Sequence, residues 1–147
     1  MIDKIIKGIK YLLDEENLTA EVIQKKGYEG DFIIPETVVF KKVAYRVTSI
    51  GGWAFEDCSS LTSIVIPDSV TSIGDWAFVR CSSLTSIVIP ESVMSIGKGA
   101  FKWCRYLTSM AFNGTIAQWK GIELGDEWND YVPARVIHCT DGEVEIN

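Results

Sequence analysis

VTSIGDWAFVRCSSLTSIVIP, residues 70–90, has near copies of itself on both sides, and their spacing is 23 residues. Stepping by that period gives the columns Trp53/Trp76/Gly99, Ala54/Ala77/Ala100, Phe55/Phe78/Phe101, Cys58/Cys81/Cys104, Leu61/Leu84/Leu107 and Ile64/Ile87/Met110. An ordinary globular core has no need for agreement at one fixed interval, whereas a stacked coil does, because each repeat packs on the next. Within a repeat, Ile64-Val65-Ile66 alternates as a strand with its isoleucines inward, and Pro67 ends it by removing a ladder donor. A second short extended piece carries Ile73. After Gly74 the run to Cys81 is short enough for one turn of helix or 3₁₀ that sends Phe78 inward. One repeat alone buries too little to fold, so the copies stack and both ends need covering.

The composition supports this reading. The chain has 147 residues, 47% of them hydrophobic and 23% charged, which are values of a folded domain. The net charge of −6 is unevenly spread: residues 1–46 sum to 0, residues 47–112 to −1 and residues 113–147 to −5. A nucleic-acid binder needs a basic stripe to displace counterions, and there is none, so that class is set aside. Three of the four cysteines recur at the repeat spacing, which reads as small apolar side chains filling a column. Ligands in a straight column cannot surround a tetrahedral metal, so no metal site or other cofactor is expected.

Outside the regular copies, residues 1–13 lack the continuous apolar run of a signal peptide, and no stretch is long enough to span a membrane. Ile9, Tyr11, Leu13 and then Leu18, Ala20, Val22 alternate across Asp14–Asn17, predicting a β-hairpin over the first sheet edge. Ile34-Pro35 lies 32 residues before Ile66-Pro67, nine more than one period, and a hairpin arm fits the excess. Its turn, Lys41-Lys42, tolerates positive φ poorly, so a longer or more mobile turn is expected. After residue 112, Thr115 reads as the N-cap of a short helix carrying Ile116, Trp119 and Ile122. A polar loop, a strand over Ala134–Cys139 and a turn at Asp141-Gly142 follow.

The signature SIGxxAFxxCxSLTSIxIPxSV over residues 47–112 resembles the BspA-like leucine-rich repeat family of bacterial proteins, and GIKYLLDEENLTAEV, IIPETV, NGTIAQW and HCTDG resemble its flanking elements. The resemblance implies a β-rich α/β solenoid, a short right-handed leucine-rich-repeat coil of about three 23-residue repeats. Residues 1–46 would form a β-hairpin cap and degenerate first repeat, 47–112 the repeats, and 113–147 a mixed α/β cap. It also implies a secreted or surface-displayed protein with a role in adhesion or protein binding and no catalytic centre. Only the LxxIxI half of each repeat fits the general leucine-rich pattern. No export signal is visible, which leaves a cytoplasmic location as the alternative.

Two sets of residues are candidates for binding a protein or glycan ligand. The outward strand positions form the columns Ser63/Ser86/Ser109 and Val65/Val88/Ala111. Three or four strands present only ~200–300 Å², against ~800 Å² per partner in a standard interface, so either the ends contribute, or the molecule works as a homo-oligomer, or it binds something weakly. The second set is aromatic: Trp53 and Trp76 lie one repeat apart, and where Gly99 breaks the column Trp103 follows four residues later, one helical turn away. Arg80 varies to Trp103 at the same position of the repeat. A row of Trp53, Trp76 and Trp103 suits a carbohydrate-binding module as well as a peptide. An enzyme is disfavoured: His138 is the only histidine and has no identifiable partner. Glu123, Asp126, Glu127, Asp130 and Asp141 match no calcium loop and read as a solvated acidic face.

Overall fold

The computed structural model describes residues 1–147. Three antiparallel strands come first: β1 (Ile2–Ile6), β2 (Ile9–Asp14) and β3 (Thr19–Val22). The hairpin read from the sequence is β2–β3, with Ile9, Tyr11, Leu13, Ala20 and Val22 buried on its inner face. β1 adds a further strand because Lys7 and Gly8 both take positive φ, 49° and 85°, and close a two-residue turn between Ile6 and Ile9.

β4 (Gly30–Ile33) precedes the inserted arm, which is β5 (Thr37–Phe40) against the first half of β6 (Val43–Ile50). The arm corrects one expectation. Phe40 pairs directly with Val43, so Lys41 and Lys42 are the whole turn, at φ 51° and 64°. The register is set by four paired residues on each side, and the Lys41 and Lys4 ammonium groups lie 5.4 and 5.3 Å from the Phe40 ring centroid. Pairing and cation–ring contact offset the cost of two left-handed lysines.

The coil then runs through β7 (Leu61–Val65), β8 (Ser72–Ile73), β9 (Ser86–Ile89), β10 (Ser95–Ile96), β11 (Ser109–Phe112), α1 (Ile116–Lys120), β12 (Glu123–Leu124), β13 (Val136–Cys139) and β14 (Gly142–Glu145). On one side β3, β6, β8, β10 and β12 pair in parallel, extended outward by β2 and β1. On the other, β4 pairs with β7, and β9, β11 and β13 pair in parallel with β14 closing antiparallel. The protein is a β-rich solenoid with a single short helix. Thr115 caps that helix in a capping box with Gln118, and Trp119 is its buried residue.

Between the two faces the repeats are joined by turns, not by helix. Residues 53, 76, 99 and 127 take φ of 62°, 59°, 60° and 61°, and residues 57, 80, 103 and 131 take 55°, 60°, 66° and 63°. This path points alternate N–H groups along the stacking axis. Trp53, Phe55 and Asp57 donate to the carbonyls of Asp75, Ala77 and Val79, and Trp76, Phe78 and Arg80 to those of Lys98, Ala100 and Lys102. Gly99, Phe101 and Trp103 then donate to Asp126, Trp128 and Asp130. The polar loop expected after the helix is therefore a fourth turn of the coil, GDEWNDYV at residues 125–132, with Gly125 in the place of Gly74 and Gly97.

Inside, Phe55, Phe78 and Phe101 stack with centroids 5.1 Å apart and planes within 2° of parallel. Tyr28 and Phe32 pack on one end of this ladder, and Trp128 meets the other edge-on at 6.3 Å. Asn129 takes the phenylalanine position of the fourth turn and bonds the Ile146 carbonyl at 2.8 Å, so the apolar column ends in a polar group with a partner. The cysteine column is unbridged. Cys81 donates to the Phe55 carbonyl at 3.1 Å and Cys104 to the Phe78 carbonyl at 3.0 Å. Burial pushes the Cys58 thiol up to about 11, and the Cys104 thiol beside it, with burial second, pushes Cys81 up as well.

The last hairpin differs from its sequence reading by one residue. Cys139 pairs with Gly142, so Thr140 and Asp141 form the turn and Gly142 opens β14 at φ 144°. Asp141 leaves the turn to accept from the Ile116 N–H at 2.8 Å, tying the hairpin to the start of α1.

Candidate functional site: the edge of the stacked turns

Two columns of outward side chains stand on the left-handed positions of the turns. The first holds Trp53, Trp76, Gly99 and Glu127, and the second Asp57, Arg80, Trp103 and Tyr131. Trp103 thus belongs beside Arg80 and does not extend the row of Trp53 and Trp76. The helical spacing that would have returned it there does not apply, because residues 97–104 form turns with positive φ at both Gly99 and Trp103.

The first column is packed. Trp53 stacks on Trp76 at 5.4 Å and 19°, and a Cβ on Gly99 would overlap the Trp76 ring. Glycine is needed at that level because the ring above leans onto its backbone. Lys102 and Lys98 lie 5.7 and 5.9 Å from the Trp76 centroid. Trp76 is thereby engaged from several sides, and Trp53, 42% exposed, offers the open part of the pair.

The second column is the more open one. Asp57 and Glu56 accept from Arg80, whose guanidinium holds the Asp57 carboxyl below its ordinary range. One level on, Trp103 stacks on Tyr131 at 3.9 Å and 10°, and the Arg105 guanidinium lies 5.1 Å from the Trp103 centroid. Tyr106 and Tyr131 are both 62% exposed. Asp57, Arg80, Trp103, Arg105 and Tyr106 line an open cleft of about 550 Å³ together with Ser59 and Ser82. Arg105 and Tyr106 replace the Ser82 and Ser83 of the repeat before, and Tyr131 lies 28 residues after Trp103, off the 23-residue period, so column comparison missed all three. Their signal lay in departures from the period, not in the period itself.

The strand face is plainer and larger than expected. Its outer row pairs Ile33 with Val65, and Ala111 with Val88 and His138, while Asp31 stands beside Ser63 and Ser86 beside Ser109. β4, β13 and β14 add to the repeat strands, although the ladder lapses between β7 and β9. Six strands give roughly 430 Å², still about half a standard interface side. His138 does have a partner: Glu143 pairs with it across β13–β14 at 3.3 Å, both side chains more than half exposed. The pair is a cross-strand surface contact. The acidic residues of the C-terminal segment are dispersed in the same way. Glu127 binds Lys102 at 2.8 Å, Asp141 caps α1, and no three such side chains converge.

The likeness to known proteins follows this architecture. A family described as BspA type leucine rich repeat region, in six copies, matches residues 34–121. None of the curated proteins matches the chain. Among solved structures, a leucine rich cell surface protein from Faecalibacterium prausnitzii is 27% identical with a TM-score of 0.68, covering 96% of this chain and 43% of its own. A leucine-rich repeat protein from Bacteroides ovatus is 30% identical with a TM-score of 0.72, covering 93% and 41%. This chain spans less than half the length of either. A leucine-rich repeat protein from Bacteroides capillosus, 24% identical, shares the fold over 93% of this chain and 97% of its own with a TM-score of 0.77. The chain belongs to the BspA-type leucine-rich repeat family.

Proposed function

We propose that the chain is a non-catalytic protein-interaction module displayed at the bacterial cell surface, and that it grips its partner with the edge of the stacked turns around Trp103. The observation that carries this reading is the cluster of Trp103, Tyr131, Arg105 and Tyr106. Tyr131 and Arg105 pack on a half-buried Trp103, Tyr106 stands exposed next to Arg105, and Trp103, Arg105 and Tyr106 line the cleft. Residues of these types supply most of the binding energy in protein interfaces. The cell-surface location rests on the Faecalibacterium relative, a leucine rich cell surface protein. The strand-face residues Ser63, Val65, Ser86, Val88, Ser109 and Ala111 contribute rim area at most, being small and flat.

The test is surface plasmon resonance of the chain over immobilised extracellular-matrix proteins. Micromolar binding that falls by about tenfold or more in Trp103→Ala/Tyr106→Ala, and much less in Trp53→Ala, is the expected result. Binding that depends on Trp53 and Trp76 and reappears on a glycan array would replace this reading with a carbohydrate-binding one. Recovery of no matrix protein at micromolar concentration would count against adhesion.

A further inference from the structure

Between the first strands and the arm lies a second cleft, of about 360 Å³, walled by Ile6, Ile9, Ile33, Pro35 and Val38 with Lys7 among its lining residues. That volume is within the range of natural ligand pockets. Three features of it point the same way. Tyr11, also in its lining, is fully buried, and its hydroxyl has no hydrogen-bond partner. Nearly all buried polar groups are paired, so the orphaned hydroxyl is a polar spot beneath the apolar wall, sealed from solvent.

The second feature is the free edge of β4. Its only neighbour is β7: the N–H groups of Gly30 and Ile34 donate to Ser60 and Val65 at 2.8 and 3.1 Å. The alternate residues Asp31 and Ile33 therefore turn their main-chain groups toward a side that no strand occupies. Ile33 is 69% exposed there and reaches the cleft, and the Asp31 carboxylate is engaged by Ser63 at 2.7 Å and Thr62 at 3.2 Å. The third feature is charge. Lys7 in the lining, and Lys4 and Lys41 over the adjoining Phe40, have no carboxylate within 4.0 Å, because the four ion pairs of the molecule are made by Arg80, Lys102 and His138.

We propose that an extended, alternately aliphatic and acidic segment of a partner polypeptide adds a strand to β4, seats an aliphatic side chain in the cleft and sets its carboxylates on Lys7 and Lys41. The free main-chain edge selects polypeptide over a free fatty acid, which has no groups to satisfy it, and the unpaired lysines select acidic flanks. This site is independent of the Trp103 edge, so each reading stands or falls alone.

The test is an amide-resolved NMR titration of the full chain with acetyl-Glu-Val-Glu-Ile-Glu-Val-amide, with the Lys-for-Glu peptide and octanoate as comparisons. Expected are saturable shifts confined to Gly30–Ile34, Lys7 and Val38–Phe40, with a Kd on the order of 100 μM or tighter. Ile33→Pro, which removes the outward N–H of β4, and Lys7→Glu should each weaken binding about tenfold without lowering the melting temperature. Should Ile33→Pro unfold the chain, Ile33→Glu takes its place. No saturable shift up to about 1 mM, shifts elsewhere, or affinity indifferent to these variants would overturn the proposal. So would equal binding of the lysine peptide or of octanoate. Concentration-dependent broadening of β4 without peptide would overturn it in favour of a second copy of the chain.

Discussion

The turn at residues 74–81 and the turn at residues 125–132 follow the same backbone path with few side chains in common. Both begin with glycine, both place their third and seventh residues in the left-handed region, and both accept three N–H groups from the turn before. Yet Trp76-Ala77-Phe78 in one stands against Glu127-Trp128-Asn129 in the other, and Cys81 against Val132. The middle turn has a neighbour above and below with the same inner Ala, Phe and Cys, and its inner columns repeat for that reason. The last turn has a neighbour on one side only, so its inner positions are free to end the columns. Trp128 meets Phe101 edge-on, and Asn129 hands over to the C-terminal Ile146. Repetition of side chains belongs to the interior of the stack, and repetition of backbone belongs to the whole of it.

Breaking the interior should cost far more than breaking the end. Phe78→Ala removes the middle ring of the ladder and should lower the unfolding free energy by about 4 kcal/mol, read from a urea midpoint at constant slope. Asn129→Ala at the equivalent position of the last turn should cost about 1 kcal/mol. Equal effects would mean that the fourth turn is as much interior as the second. At the level between them, Gly99→Ala should cost about 2 kcal/mol, because the added methyl displaces the Trp76 ring. The same substitution should raise the accessibility of Trp76, seen as a red shift and stronger quenching of its fluorescence.

A smaller effect separates the first strands from the coil by pH. Burial, with Tyr28 second, pushes Tyr11 up to about 12, and burial pushes Cys58 up to about 11. Both groups hold their protons more tightly folded than unfolded, so the unfolded chain carries fewer protons above pH 9 to 10. Stability should therefore be flat below about pH 9 and fall as pH rises, through about 11 for Cys58 and about 12 for Tyr11. Tyr28 and Cys81 are pushed up as well, so Tyr11→Phe should make the decline above about pH 10 shallower without abolishing it, measured as melting temperature against pH. A decline unchanged by this substitution would assign it to other groups.

These contrasts also explain what was legible in the sequence. Phe55, Phe78 and Phe101 spelled out the solenoid because packing forced them to be alike. The second-column aromatics were legible only as exceptions: Trp103 stood out, but its place beside Arg80 depends on a turn geometry that no residue type announces, since Trp, Asp, Arg, Glu and Tyr all occupy the left-handed positions. In the Lys41-Lys42 turn, likewise, propensity gives way to strand register. Residues 125–132 were invisible as a repeat because a terminal turn keeps hydrogen bonds, not side chains. The cleft beside β4 arises where the first strands face the inserted arm, and both lie outside the 23-residue period.

The central claim is that four turns form one hydrogen-bonded stack, the last of them carrying none of the repeat's side-chain signature. Native-state amide hydrogen exchange tests it residue by residue. The N–H groups of Gly99, Phe101 and Trp103, which donate to Asp126, Trp128 and Asp130, should be protected to within about tenfold of those of Trp76, Phe78 and Arg80. Exchange of Gly99, Phe101 and Trp103 at the rate of unstructured peptide, with the Trp76 set still protected, would show that the stack ends at its third turn and would contradict the account.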